Sequence, residues 1–331
     1  MKKIRVAVNG FGRIGRAFTR ISLQSDSIDI VAVNDLSDIK LLNHLLKYDS
    51  VHRNKVFSSI CDDSSLTVND KYIKFFSERD PVNLPWKELD IDVVIESTGF
   101  FRSKEKANMH IDSGAKKVII SAPPTDYDVK TVVVGINEKL ITENDKIVSN
   151  ASCTTNCAAP MIKIINDLCK INVGFLTTTH AYTVDQNLHD GQHKDLRRAR
   201  AAAQNIIPTS TGAANALGKI FPELIGKIDG IGIRVPVIDG SMTDIICKVE
   251  NPKTQDEIKN QFKNLSNGDL NGILSYTEDP IVSSDVIGNT NSCIIDGLMV
   301  SVIEDLVRVV GWYDNEIGYS SRLVDLVKKI A

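Results

Sequence analysis

Apolar residues in this chain fall mainly into two patterns. Short near-continuous runs alternate with stretches in which apolar positions recur every three or four residues. Ile4 to Val8 is a run of the first kind, as expected for a strand buried on both faces. Ile14, Ala17, Phe18 and Ile21 then recur at helical spacing, and a second run follows from Ile28 to Val33. Ser37 to Lys47 reads as a helix with Ile39, Leu42, Leu45 and Leu46 inward. Asp92 to Ile95, Lys117 to Ile120 and Thr131 to Val134 read as strands, with a helix near Ser103 to Asp112. Repeated βα units predict a doubly wound parallel sheet of α/β class. From about Ile171 the pattern changes. Val173 to Thr179 is strand-like, and Ala181 to Gln204 is a long polar stretch of the kind that carries function or subunit contacts. Ile231 to Val237, Met242 to Val249, Met299 to Val302 and Val307 to Tyr313 read as strands with few intervening helices, which predicts a mixed or antiparallel sheet in an α+β unit. Ile317 to Ile330 closes the chain as a helix, with Lys328 and Lys329 suited to its C-terminus.

Composition narrows the class. A chain of 331 residues, 42% apolar and 24% charged, can bury the cores of two domains. The expected division is residues 1–152, completed by a C-terminal helix at 315–331, and residues 153–314. Thirty-nine basic against 42 acidic residues give a formal charge of −3, so nucleic acid is not an expected primary partner. Six cysteines in so long a chain fit reduced thiols of the cytoplasm better than a disulfide scaffold. The apolar run after Met1-Lys2-Lys3 is too short for a signal peptide, and no run reaches the roughly 18 apolar residues that span a bilayer.

The turn after the first strand is Gly10-Phe11-Gly12-Arg13-Ile14-Gly15. Gly10 permits a tight turn, Gly12 lets backbone approach a pyrophosphate, and Gly15 lets helix pack on strand. Phosphates would sit on the helix N-terminus, where N–H groups lack partners. Asp35 closes the second strand about 20 residues on, where a carboxylate accepts from both ribose hydroxyls of an adenosine and repels a 2′-phosphate. That order of elements defines a Rossmann dinucleotide site selective for NAD over NADP. Ser97-Thr98-Gly99 and Ser121-Ala122-Pro123 fall at further strand ends, where such folds bind ligands.

Ser149-Asn150-Ala151-Ser152-Cys153-Thr154-Thr155-Asn156-Cys157 joins a strand-like run to a helix-like one. Most lone cysteines are core filler, and Cys61, Cys169, Cys247 and Cys293 read that way. Cys153 differs because its neighbours are polar, and the N–H groups of a helix start favour thiolate. His180, at a strand end 27 residues on, is the preferred partner, since an imidazole can hold a thiolate and shuttle a proton. No Cys/His spacing suits a metal. Arg197, Arg198 and Arg200 with Lys194 form a basic cluster, usually a solvated face. Thr209-Ser210-Thr211-Gly212 caps a helix start near Ala213, and the region suits phosphate. Arg234 interrupts an apolar strand and needs either an internal partner or a bound anion. Pro160 predicts a kink in the helix after Cys153.

Those stretches resemble the phosphorylating glyceraldehyde-3-phosphate dehydrogenase family. The match continues in Lys47-Tyr48-Asp49-Ser50, Thr178 to Thr183, Ile206-Ile207-Pro208, Thr211 to Ala214 and Trp312 to Glu316. The resemblance implies oxidation of D-glyceraldehyde 3-phosphate to 1,3-bisphosphoglycerate in glycolysis or gluconeogenesis, through hemithioacetal and thioester intermediates. It implies Cys153 as nucleophile and His180 as base. It assigns Arg13, Ile14, Asp35, Arg79, Ser121 and Asn315 to the cofactor. To the substrate phosphate and inorganic phosphate it assigns Ser152, Thr154, Thr183, Arg198, Thr211, Gly212 and Arg234. It also implies a homotetramer. Erythrose-4-phosphate dehydrogenase shares the fold and Cys/His chemistry, and need for inorganic phosphate separates the two. A catalytically idle NAD-bound binding or adhesion protein is the alternative of another class, which intact Cys153 and His180 disfavour.

Overall fold

The computed structural model describes residues 2–52 and 58–331. The chain forms two compact units. One comprises residues through Val132, Glu138–Ala151 and Ser320–Ala331; the other comprises Val133–Asn137 and Ser152–Tyr319.

In the first unit the elements are β1 (Ile4–Asn9), α1 (Arg13–Ser22), β2 (Ile28–Asn34), α2 (Ile39–Lys47), β3 (Ser59–Cys61), β4 (Ser65–Val68), β5 (Lys71–Phe76), β6 (Val93–Glu96), α3 (Lys104–Asp112), β7 (Lys117–Ile120), β8 (Lys130–Thr131) and β9 (Ile147–Ser149). Among the described residues they form one sheet in the order β3-β4-β5-β2-β1-β6-β7-β9-β8. β1 pairs in parallel with both β2 and β6, so the strand order turns back at β1, where such sheets open a crevice for a ligand. The doubly wound parallel expectation is met. Among the described residues, antiparallel pairing in this sheet is confined to β3–β4 and β4–β5 at the outer edge. The expected strand Thr131 to Val134 is shorter: Lys130–Thr131 alone pairs with β9. Trp86, Val94, Val118 and Ile120 share a core cluster on one side of this sheet.

A polar network lies buried beneath the glycine turn. Asn9 Nδ2 donates to Glu96 Oε2 at 2.6 Å, and Trp86 Nε1 donates to His110 Nδ1 at 3.1 Å. An indole N–H only donates, so His110 carries its proton on Nε2 and donates it to Glu96 Oε2, 3.1 Å away. Each charge or dipole placed under the turn thus has a partner, as buried polar groups require.

The second unit contains α4 (Cys153–Cys169), β10 (Ile171–Ala181), β11 (Ile207–Ser210), α5 (Ala213–Ile220), β12 (Ile228–Val235), β13 (Ser241–Val249), α6 (Gln255–Asn267), β14 (Leu274–Thr277), β15 (Cys293–Asp296), β16 (Ser301–Ile303) and β17 (Leu306–Tyr313). The terminal helix α7 (Ile317–Ile330) begins in this unit, and its residues from Ser320 onward group with the first. The sheet runs β11-β12-β10-β13-β17-β15-β14, with β16 on β17. β10 is parallel to β12 and antiparallel to β13, the mixed sheet expected of an α+β unit. α4 packs on β17 and β13 and against α5 and α6. The opposite face of the sheet leaves Val173, Phe175, Ile231 and Ile246 exposed. α4 begins at Cys153, well before the apolar run at Met161, and continues as one helix through Pro160 to Cys169.

Candidate functional site

In the first unit the glycine turn has the shape a pyrophosphate needs. Gly10 has φ +92°, and a Cβ there would lie 2.7 Å from the Ser97 and Thr98 backbone. A Cβ on Gly15 would collide with the Gly10 carbonyl, whereas one on Gly12 would meet nothing within 4 Å. Gly12 is also the N-cap of α1 and supplies no side-chain cap, so no side chain competes for the first-turn N–H groups. Asp35 Oδ2 accepts from Phe11 N at 2.7 Å and Oδ1 from Ser37 N at 2.9 Å, which fixes the carboxylate beside the turn. These residues fit a dinucleotide. Ile14 is half-buried one residue into α1, Ser121 follows the end of β7, and Arg79 is exposed. The Arg13 guanidinium pairs with Asp49 at 2.9 Å, and Asp49 also accepts from Arg20 at 2.7 Å. Burial pushes the Asp49 carboxyl up, but the Val51 and His52 N–H groups and Arg13 outweigh it and hold it well below the usual range.

In the second unit Cys153 is the first residue of α4. Ser152 is the N-cap, its Oγ accepting from Thr155 N at 3.0 Å. Ala151, just before it, has φ +56°, a left-handed conformation that costs a non-glycine residue about 1–2 kcal/mol. His180 is the penultimate residue of β10, and its register partner across the parallel β10–β12 pair is Arg234. Cys153 Sγ lies 3.3 Å from His180 Nε2, and Arg234 Nη1 lies 2.8 Å from His180 Nδ1. Thus the three residues singled out for polarity in an apolar or strand-end context meet in space.

The electrostatics differ from the sequence expectation. Burial pushes the Cys153 thiol up to about 11; Arg234, Thr154 and the backbone N–H of Cys153 pull the other way without prevailing. Burial, then Arg234, pushes His180 down to about 3. A helix start alone therefore does not make this thiol a thiolate. Desolvation disfavours charge on either group singly. Charging both together at 3.3 Å recovers about 5 kcal/mol at an effective dielectric near 20, which offsets about half of that cost.

Two arginines of the polar stretch, Arg198 and Arg200, are held by carboxylates. Thr183 Oγ1 and Arg198 Nη1 both donate to Asp185, and Arg198 Nε donates to Thr209 Oγ1 at 2.8 Å. Thr209 Oγ1 donates in turn to Asp195 at 3.1 Å. Thr211 Oγ1 accepts from Ala213 N at 3.2 Å, and Gly212 is the N-cap of α5 with no side-chain cap. Thr154 stands apart from this group. Its buried hydroxyl lies 3.0 Å from Tyr313 Oη, which is also 2.9 Å from Thr178 Oγ1. Asn315 Oδ1 accepts from Ser241 Oγ at 2.7 Å, so its amide's remaining capacity is as a donor.

Asp185 and Tyr313 were missed in the sequence. Asp185 follows a threonine by two residues in a polar stretch, which is ordinary loop composition. Tyr313 sits inside a strand-like run where an aromatic reads as packing. The buried Glu96 did carry a signal, as an acid ending the run Val93-Val94-Ile95.

Residues 4–104 match the family model described as the glyceraldehyde 3-phosphate dehydrogenase NAD binding domain, and residues 152–315 match that of its C-terminal domain. The chain is 54% identical over 326 residues to glyceraldehyde-3-phosphate dehydrogenase 2 of Streptomyces avermitilis, covering 98% of this chain and 97% of that protein. It is 49% identical over 330 residues to the enzymes named glyceraldehyde-3-phosphate dehydrogenase in Priestia megaterium and glyceraldehyde-3-phosphate dehydrogenase 1 in Bacillus subtilis, covering 99% of this chain and 98% of each. A dinucleotide turn of fitting shape and a matched NAD binding domain define an NAD-dependent dehydrogenase. The chain belongs to the glyceraldehyde-3-phosphate dehydrogenase family.

Proposed function

We propose that this chain is the glycolytic enzyme that oxidises D-glyceraldehyde 3-phosphate with NAD and inorganic phosphate to 1,3-bisphosphoglycerate. The observation that carries the reading is the 3.3 Å approach of Cys153 Sγ to His180 Nε2 in a family that oxidises an aldehyde. Cys153 gives its proton to His180 Nε2, and the thiolate bonds to the aldehyde carbon while the carbonyl electrons move to oxygen. His180 Nε2–H and the Cys153 backbone N–H stabilise that oxygen. NAD, held by Gly10, Gly12 and Asp35 with Arg13, Ile14, Arg79, Ser121 and Asn315 as further contacts, supplies the hydride acceptor. His180 passes that proton to the oxygen, giving the hemithioacetal, and takes it back as the carbon gives up its hydride and the acyl group remains on Cys153 as a thioester. Phosphate then attacks the thioester carbon and Cys153 leaves as thiolate.

Arg198, Arg234, Thr183, Thr211, Gly212, Ser152 and Thr154 bind the substrate's phosphate and the incoming one. Asp185 occupies part of that ground, so phosphate must outcompete a carboxylate for Thr183 and Arg198. The exposed apolar residues Phe175, Ile231 and Ile246 support assembly as a homotetramer; sedimentation as a monomer would remove that support. Six free thiols support a reducing cytoplasm, which cell fractionation tests. NADH formation from glyceraldehyde 3-phosphate, with and without phosphate, tests the function directly. Turnover should require phosphate and fall with NADP or erythrose 4-phosphate. Preference for erythrose 4-phosphate without need for phosphate would overturn the assignment.

A further inference from the structure

Three sulfurs close on one point in the second unit. Cys157 and Met161 lie four residues apart on α4 and share a face of that helix, where Cys157 Sγ sits 3.7 Å from the Gly311 carbonyl oxygen of β17. Cys293 opens β15, which pairs with β17. All three side chains are fully buried. A Cβ on Gly311 would have these sulfurs as its three nearest atoms, with Cys293 Sγ at 2.6 Å, Met161 Sδ at 2.8 Å and Cys157 Sγ at 3.3 Å. Any side chain at 311 would strike sulfur, and glycine leaves room among the three.

Sulfur in a core is usually packing. Here the spacing is that of ligands. A soft ion bonded to three sulfurs at about 2.3 Å in one plane holds them about 4.0 Å apart. Cys157 Sγ lies 4.0 Å from Met161 Sδ. A disulfide would join two of the sulfurs and leave the third, and the room beside Gly311, unused. Thiolate and thioether together are soft donors and select Cu(I). Burial, then the neighbouring Cys157 thiol, pushes the Cys293 thiol well up, so its proton stays until an ion displaces it.

We propose that Cys157, Met161 and Cys293 form a binding site for one Cu(I) ion per chain, seated among the sulfurs beside Gly311. Binding breaks the S–H bond of each thiol, passes the proton to solvent and forms a Cu–S bond in its place. Copper stays monovalent and no electron moves. Two thiolates around a monovalent ion carry one net negative charge, which the N-terminal turns of α4 favour. The ion fastens the start of α4 to β15, one turn along the helix from Cys153. No Cys/His spacing reveals the site, because its ligands come from two distant elements and one of them is a methionine.

The test uses the full chain carrying Cys153→Ser, which removes the soft donor beside His180. Cu(I) is supplied without oxygen in competition with bicinchoninate, whose coloured Cu(I) complex fades as the protein takes the ion. One Cu(I) per chain should transfer, with an affinity that rises at least about tenfold per pH unit near neutrality as protons leave. X-ray absorption at the copper edge should show three sulfurs at about 2.3 Å. Adding Cys293→Ser or Met161→Leu should weaken binding by about tenfold or more. Met161→Leu nearly conserves volume, so a loss there reads ligation rather than folding. No transfer from the chelator, an unchanged affinity in either double variant, or oxygen and nitrogen ligands at the copper would overturn the inference.

Discussion

Replacing His180 by asparagine removes the proton acceptor 3.3 Å from Cys153 Sγ while keeping a side chain of similar polarity. Two magnitudes follow. A thiol pushed up to about 11 with no partner is ionised to only about one part in a thousand at a pH near 8, three units below its midpoint. The imidazolium that would favour ionisation by about 5 kcal/mol at this separation is gone. Alkylation of Cys153 by iodoacetamide reads thiolate directly. In His180→Asn its rate should climb about tenfold per pH unit toward that high midpoint, whereas the wild type should level off several units lower with phosphate bound. The rate of NADH formation should fall by about 10²–10⁴-fold. A variant that keeps the wild-type plateau, or loses less than about tenfold in turnover, would refute the pairing as the source of the nucleophile.

Asp35→Asn keeps an acceptor for the Phe11 N–H but removes the negative charge, so kcat/KM with NADP should rise relative to NAD by about tenfold or more; an unchanged ratio rules out the ribose role. Asp49→Asn should cost about 1.5–3 kcal/mol of stability at neutral pH, since it removes the carboxylate, only 2% exposed, that Arg13 and Arg20 share, while Arg20 keeps the Leu45 and Leu46 carbonyls. The Asp49 carboxyl is held below its ordinary value in the folded chain, so its contribution is present above the unfolded value near 3.9 and is lost as pH falls through the folded one. Urea unfolding should therefore show the gap between wild type and variant narrowing below about pH 4, and an equal gap at both pH values contradicts the ion pair.

Legibility in the sequence followed the range of the interactions. The run Ile4 to Val8, the glycines and Asp35 lie within some thirty residues and obey a local period, so β1, α1, β2 and the dinucleotide turn could be read off together. β3 and β4 could not, because three- and four-residue strands with mixed polarity leave no period to detect. The same holds for Thr131 to Val134, an apolar run that is buried without pairing along its length. At the site, Cys153 stood out by its polar neighbours and Arg234 by interrupting an apolar strand. Tyr313 did not, because its hydroxyl meets Thr178 and Thr154 across separations of 135 and 159 residues. Only the strand order β10-β13-β17 creates that meeting. The upward push on the thiol was illegible for a similar reason: a helix start is local, whereas the burial that overrides it is tertiary.

The central claim is that Cys153 carries the oxidised substrate as a thioester. Mixing the protein with NAD and glyceraldehyde 3-phosphate in the absence of phosphate, then quenching in acid and mapping peptides by mass, tests it most directly. The account predicts one NADH per subunit, one acyl adduct on Cys153, and disappearance of that adduct when phosphate is added before the quench. NADH formed with no adduct, or with the acyl group on another residue, would contradict it.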